Sequence, residues 1–174
     1  MRTQCLAAVF ACLLIPHVVV AQNAHLPAEL LKDWTEQKAL MMKTADAMPA
    51  EKFSYKTTPP QRDFGQQILH VAGANIMYLR NFGGKAVTPT IDRSATAKAE
   101  ILQTLAASFD YGEALIKEQT DESLMQIITT NQFLGPSSKA RVIYFLLGHT
   151  WDIYGQMVVY LRLNGVTPPA SQRP

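Results

Sequence analysis

Apolar residues recur in four segments of this chain at spacings of three, four and seven residues, the period of helices that are buried along one side. Four segments carry helical periodicity, and no segment shows sustained two-residue alternation. The first helix is predicted from about Pro27 to Met48, because Pro27 suits a first helical position and Pro49 follows as a stop.

The second helix is predicted to begin within the segment TTPPQ. Thr58 has the character of an N-cap, and Gln61 completes a capping box with it. Pro59 and Pro60 fit a first turn, where a missing N–H group costs nothing. The helix should end near the glycine pair at 83 and 84. Its apolar stripe comprises Phe64, Ile68, Val71, Asn75 and Tyr78.

The third helix is predicted from about Ser94 to Glu118, and the fourth from Ser137 or Ser138 to the cap at residues 164–165. Residues 120–135 form a connector with a short turn of helix. Four helices of this kind, each apolar on one side, can bury those sides only against one another. The sequence therefore predicts an all-α protein built as a four-helix bundle.

Composition places the chain among ordinary globular domains, with 48% hydrophobic and 17% charged residues. The formal net charge is +2, and acidic and basic residues are interspersed rather than clustered. Nucleic acid is therefore excluded as an expected partner. The sequence also contains no glycine-rich phosphate loop and no nucleophile elbow.

Residues 1–21 have the pattern of a secretory signal peptide: Arg2, an apolar run from Leu6 to Ile15, and a small-residue end at Ala21. The apolar run is shorter than the ~20 residues needed to span a bilayer. We therefore expect a periplasmic or secreted protein whose mature part, residues 22–174, is one domain without a membrane span.

Both cysteines of the chain, Cys5 and Cys12, lie in the segment to be removed. The mature domain then has no thiol, which excludes disulfides, cysteine nucleophiles and thiolate metal sites. It must hold its fold by packing alone.

The fourth helix is unusual because polar residues fall on its apolar stripe. At 100° per residue the stripe comprises Val142, Phe145, His149, Asp152, Ile153, Gln156, Tyr160 and Leu163. On the second helix His70 lies beside the Phe64 stripe and should face a seam or cleft. Two histidines on two helices can build a metal site across a bundle core. A single histidine on an apolar stripe is, however, more often a hydrogen-bonded core residue.

Two stretches carry a family resemblance: FGQQILHVAGAN around His70, and HTWDIYGQMVVYLRLNGVTPPAS from His149 onward. They resemble the DinB family of the DinB/YfiT-like superfamily, in particular its exported Gram-negative members. The resemblance implies a bundle in up-down-down-up order. It also implies a cleft in which a second-helix histidine and the two histidines of an H-x-x-x-H motif on the fourth hold nickel or zinc. Characterised relatives include thiol-dependent S-transferases and a thiol-dependent isomerase.

The resemblance breaks at one position. His70 matches the histidine of the second helix and His149 the first of the fourth-helix pair, but Ile153 stands where the last histidine belongs. Isoleucine has no lone pair, so the site needs another donor. Asp152 is the nearest, although relatives with all three histidines also carry acidic residues there. The candidate metal ligands are therefore His70, His149 and Asp152, and no catalytic residue is assigned.

Three functions remain open at this point. One is an enzyme, dependent on a divalent metal and similar to the thiol transferases, in which the ion lowers the pKa of a bound thiol or water. Another is a non-catalytic bundle that has lost the metal and recognises a small-molecule ligand or a partner. The last is a purely structural homodimer. Ile153 favours loss of the metal, whereas the retention of His70 and His149 favours the enzyme.

The signal-peptide pattern generates the first testable prediction. We expect the protein purified from its native host to begin at Gln22, or at the cyclised form of that residue, because cleavage should follow Ala21. N-terminal sequencing measures this directly. A cytoplasmic protein that retains Met1 would contradict it.

Overall fold

The computed structural model describes residues 25–130 and 133–172. The signal peptide predicted at residues 1–21 lies outside the described residues. The described chain forms five helices: α1 (Leu26–Ala47), α2 (Phe64–Leu79), α3 (Lys98–Lys117), α4 (Asp121–Leu124) and α5 (Lys139–Leu163). Two short 3-10 helices span Ala50–Lys52 and Pro169–Ser171. The strands β1 (Ile127–Ile128) and β2 (Ser137–Ser138) pair antiparallel.

Helices α1 and α3 are antiparallel neighbours. The indole nitrogen of Trp34, early in α1, donates to the carbonyl oxygen of Phe109 in α3 at 2.9 Å. At the other end Lys98 Nζ, at the start of α3, donates to the carbonyl oxygen of Met48 at 3.0 Å. Consequently the start of each helix lies beside the end of the other.

Helices α2 and α3 run parallel. Near their starts, Gly65 lies against the side chain of Ile101. Farther along both helices, Asn75 Nδ2 donates to Ser108 Oγ at 3.3 Å. Because consecutive parallel helices must be joined across the length of the bundle, residues 80–97 form a long connection, which also contributes to the site described below.

Helices α2 and α5 are antiparallel. Phe64 at the start of α2 packs on Tyr160 late in α5, and Tyr78 at the end of α2 packs on Phe145 early in α5, with ring centroids 6.0 and 5.0 Å apart. Together with the other pairings, this gives the up-down-down-up order that the resemblance implied. The prediction of an all-α bundle is confirmed. No helix in the described ranges is long and apolar enough to cross a membrane.

The start of α2 differs from the prediction. The capping box is formed by Asp63 and Gln66, with N–H to side-chain oxygen distances of 2.8 and 3.0 Å, and the helix begins at Phe64. The proline pair at 59–60 instead lies in a turn that is closed by the Gln61 N–H and the Thr58 carbonyl oxygen at 3.1 Å. The prediction that Thr58 caps this helix is therefore wrong.

Tertiary packing decides this start. Phe53 packs on Phe64 and Tyr55 on Tyr160, with ring centroids 5.4 and 6.2 Å apart, so the loop is held against the bundle. Its carbonyl oxygens then accept from the first N–H groups of the helix, Phe53 from Gly65 at 2.9 Å and Tyr55 from Phe64 at 3.1 Å. These contacts are possible only if residues 56–63 stay outside the helix.

The other helix ends also show where local turns compete with helix. Helix α3 begins at Lys98 rather than near Ser94, because Asp92 Oδ1 accepts from the Ser94 N–H and hydroxyl at 2.8 and 2.6 Å and forms a local turn. Helix α2 ends at Leu79, ahead of the glycines at 83–84. Helix α5 follows the prediction, with Ser138 as its N-cap.

A close approach of α1 and α3 yields a stability prediction. A Cβ at Gly112 would lie 2.3 Å from Cζ2 of the fully buried Trp34, whereas a Cβ at Gly148 in α5 would meet nothing within 4 Å. We expect Gly112→Ala to lower the free energy of unfolding by about 2 kcal/mol through overpacking. The matched Gly148→Ala should raise it by about 0.5–1 kcal/mol through helix propensity. Urea unfolding measures both, and equal changes would refute the close approach.

Candidate functional site

The two histidines singled out by the sequence meet across the seam between α2 and α5. His70 and His149 face each other with ring centroids 4.8 Å apart and ring planes inclined at 43°. Both are half-buried, which places them at the edge of the core. Phe145 packs edge-on against His149, with centroids 6.2 Å apart, and walls the cleft on one side.

A chain of amides continues the seam toward solvent. Gln156 Oε1 accepts from Nε2 of Gln67 at 2.8 Å and, more weakly, from Nε2 of Gln61 at 3.4 Å. Gln156 Nε2 in turn donates to Asp152 Oδ2 at 3.2 Å. Gln156 therefore hydrogen-bonds across the cleft to Gln67 and also holds the Asp152 carboxylate on the seam.

Ile153 and Asp152 lie on opposite sides of His149. Ile153 is only 2% exposed and belongs to the hydrophobic core, whereas Asp152 is exposed. The buried face of α5 comprises Lys139, Val142, Ile143, Leu146, Thr150, Ile153, Met157, Tyr160 and Leu161. The predicted stripe is therefore rotated: His149 and Gln156 lie at its edge, and Leu163, expected inside, is 58% exposed. The rotation follows from α5 packing against both α1 and α2.

These positions decide whether the residues fit the metal site that the resemblance implies. Within residues 25–130 and 133–172, no three His, Cys, Asp or Glu side chains are grouped so that they could hold an ion. His70 and His149 offer two imidazoles, and Ile153 places a hydrocarbon in the core. Protein zinc sites take three or four protein ligands. The residues present therefore do not fit the three-histidine site.

The electrostatic surroundings keep both imidazoles neutral at pH 7. Burial, followed by the positive charge of Arg62, the neighbouring His149 and the charge of Arg93, lowers the pKa of His70 to about 4, against an opposing effect of Asp152. Burial likewise lowers the pKa of His149, with Asp152 opposing it and Arg62 adding to it. Each ring then carries one N–H donor and one free lone pair.

The two arginines are functional candidates that the sequence analysis missed. Arg62 comes from the loop before α2 and Arg93 from the connection between α2 and α3. Both line a cavity of about 340 Å³ beside His70, together with Gln66 and Leu69. Loop residues have no periodic pattern, and only the fold brings these two segments to one helix, so the sequence contained no signal for them.

Comparison with known proteins places the fold. The model of one family, described as the DinB family, matches residues 20–174. A crystal structure of a DinB-like protein from Bacillus cereus is similar with a TM-score of 0.69 and 23% identity, covering 82% of this chain and 95% of that one. A DinB-like protein from Bacillus subtilis has a TM-score of 0.64 and 14% identity, with coverages of 83% and 99%. At these identities the structures show the fold alone. No curated protein matches the chain.

The charges around the histidines generate a prediction for titration by NMR. We expect Arg62→Gln to raise the pKa of both His70 and His149, because Arg62 disfavours the protonated form of each. Arg93→Gln should raise the pKa of His70, for which Arg93 is one of the causes of the lowered value. Arg80→Gln, at the far end of α2, is the control with the same change of charge.

The same shift gives the sign of a pH effect on stability. The folded-state pKa of His70, about 4, lies below its ordinary value of 6.5. The stabilisation it contributes is present above pH 6.5 and is lost as the pH falls toward 4. Between pH 7 and 5 the free energy of unfolding should therefore fall less in His70→Gln than in the wild type. An equal fall in both proteins would contradict the depressed pKa.

Proposed function

The chain belongs to the DinB family, and we propose that its α2–α5 cleft binds a small organic molecule without a resident metal ion. The observation that carries this proposal is the burial of Ile153 in the core beside two retained imidazoles. A cleft that keeps His70 and His149 but places isoleucine at the third ligand position keeps its recognition groups and loses part of its metal affinity. On the pattern of residues 1–21, we also propose that the protein acts outside the cytoplasm.

The chemistry of the cleft suits a polar ligand of modest size. Neutral imidazoles at His70 and His149 can each donate one hydrogen bond and accept another. The Gln156 amide is held in place by Gln67 and Asp152, so it is preorganised toward the seam. Phe145 supplies an apolar wall. A few fixed polar groups beside an apolar surface are the usual composition of a small-molecule site.

A metal-dependent, thiol transferase-like enzyme is the second candidate. The observation in its favour is that the two rings lie 4.8 Å apart between centroids and are both neutral at pH 7, as metal-binding histidines must be. Nickel or zinc would then be held by His70 and His149, with Asp152 or the substrate supplying further donors. In the conformation described, Asp152 does not complete a group of three.

Metal analysis of the native protein separates the two candidates. The protein should be purified from its native compartment without an affinity tag, and its nickel and zinc content measured. We expect less than about 0.1 equivalent of either ion, because two histidines hold an ion weakly without a third protein ligand. A stoichiometric divalent ion would reject the metal-free cleft in favour of the enzyme.

Restoring the missing histidine tests the same proposal in vitro. We expect Ile153→His to raise the affinity for zinc and nickel at least tenfold, because a third imidazole completes the usual set of ligands. The polar ring should cost about 2 kcal/mol of stability in place of a buried isoleucine. Saturating metal should recover about 2.7 kcal/mol at a concentration one hundred times Kd. Calorimetric titration and urea unfolding measure these effects.

Ile143→His is the matched control, because Ile143 is also fully buried on α5 but lies six residues before His149. It should lose stability without gaining metal affinity. If Ile153→His binds zinc no better than the wild type, either position 153 does not reach the cleft or Asp152 already acts as the third ligand. Crystallography of the zinc-soaked variant would distinguish these two results.

A further inference from the structure

The cavity beside His70 is built from three separate parts of the chain. Arg62 comes from the loop before α2, Arg93 from the connection after it, and Gln66, Leu69 and His70 from α2 itself. Its volume of about 340 Å³ is at the lower end of the range for small-molecule sites, so it suits a compact ligand.

The positive charge of the cavity is not cancelled by an ion pair within the described ranges, and the carboxylate that acts on the pKa of His70 is Asp152. The ion pairs among the described residues involve neither arginine; they are His25–Asp121, Lys32–Glu36, Lys38–Asp110, Lys98–Asp46 and Lys117–Glu113. The acidic residues nearest to the arginines along the chain are engaged elsewhere: Asp63 caps α2, and Asp92 accepts from Ser94. Two guanidinium groups therefore face the cavity without an acidic partner among the described residues.

The backbone around both arginines is fixed. The hydroxyl of the buried Tyr160 donates to the carbonyl oxygen of Arg62 and ties this residue to α5. The turn formed by Asp92 and Ser94 holds the backbone on either side of Arg93. Both side chains thus extend from anchored backbone, which lowers the backbone entropy lost when they bind a ligand.

The Arg93 side chain packs against α2 at Gly73. A Cβ at Gly73 would lie 3.4 Å from Cζ of Arg93 and 3.0 Å from its Nη2. The second distance is shorter than an ordinary van der Waals contact. The guanidinium therefore lies close to the α2 backbone at Gly73, where an added methyl group would push it away by a few tenths of an ångström. Because Gly73 follows His70 by three residues, the two lie on the same side of the helix.

We propose that this cavity is the recognition site for an oxyanion group, a carboxylate or a phosphate, of the small molecule that the cleft binds. Arg62 and Arg93 bind the anionic oxygens through charge-assisted hydrogen bonds. Gln66 and neutral His70 supply further donors, and Leu69 contacts the adjoining apolar part of the ligand. The pair of positive charges favours a dianion over a monoanion. This inference rests on the proposed function, because it assigns the ligand class of the same cleft.

Calorimetric titration at constant ionic strength tests the proposal. The probes are inorganic phosphate, succinate and the uncharged succinamide, added to the wild type and three variants. We expect phosphate or succinate to bind and succinamide not to bind. Arg93→Gln should weaken binding about tenfold or more, since a charge-assisted pair is lost. Gly73→Ala should also weaken it, although it removes no charge, because the new methyl group displaces the guanidinium. Arg80→Gln, which lies outside the cavity, should have no effect.

The outcomes separate this inference from the proposed function. If neither anion produces heat at concentrations up to about 10 mM, the affinity is too weak for a specific site, and the oxyanion proposal is overturned. Equal weakening by Arg80→Gln and Arg93→Gln would also overturn it, because the effect would then come from the protein's overall positive charge rather than from the cavity. If uncharged molecules in a fragment screen shift the NMR signals of His149 while neither anion does, the cleft still binds ligands and only the oxyanion assignment fails. If nothing shifts them, both proposals fail.

Discussion

Helix α2 buries twelve of its 16 residues between α3 and α5, and the position of the candidate site follows from that burial. The start of α2 packs on Tyr160 and its end packs on Phe145. These two contacts set the register of α2 along α5. Because both ends of α2 are fixed, His70 lies against His149 and Gln67 hydrogen-bonds to Gln156. The polar seam thus depends on apolar packing on either side of it, because residues 25–130 and 133–172 contain no cysteine that could link the helices.

The cleft combines side chains from two helices of the bundle with charged side chains from loops. On α5, Ile153 has become part of the core, so the helices alone provide two imidazoles and an amide rather than a complete metal site. Arg62 and Arg93 lie in the segments that enter and leave α2, and their charges, with burial, keep His70 neutral. The proposed function rests on this combination, in which a core isoleucine leaves two imidazoles to act with the amide and the two arginines.

The misplaced start of α2 shows where sequence reasoning reaches its limit. The segments at 58–61 and 63–66 both carry a residue that can cap a helix followed by glutamine three positions later, so local chemistry allows either start. Phe53 and Tyr55 decide between them by packing on the bundle and offering their carbonyl oxygens to the helix. In α5 the predicted helical period is correct, but the buried face is rotated relative to the predicted stripe. The reason is that α5 packs against both α1 and α2.

By itself the sequence determined that the domain is helical and which helices carry the histidines, because periodicity and residue identity are local properties. The family resemblance added the order of the helices and the finding that Ile153 stands where a metal ligand was expected. Only the tertiary structure decided that Ile153 faces the core, that Asp152 stays outside a cluster of three, and that Arg62 and Arg93 converge on His70. These contacts join residues far apart in the chain, and packing of the whole bundle selects them.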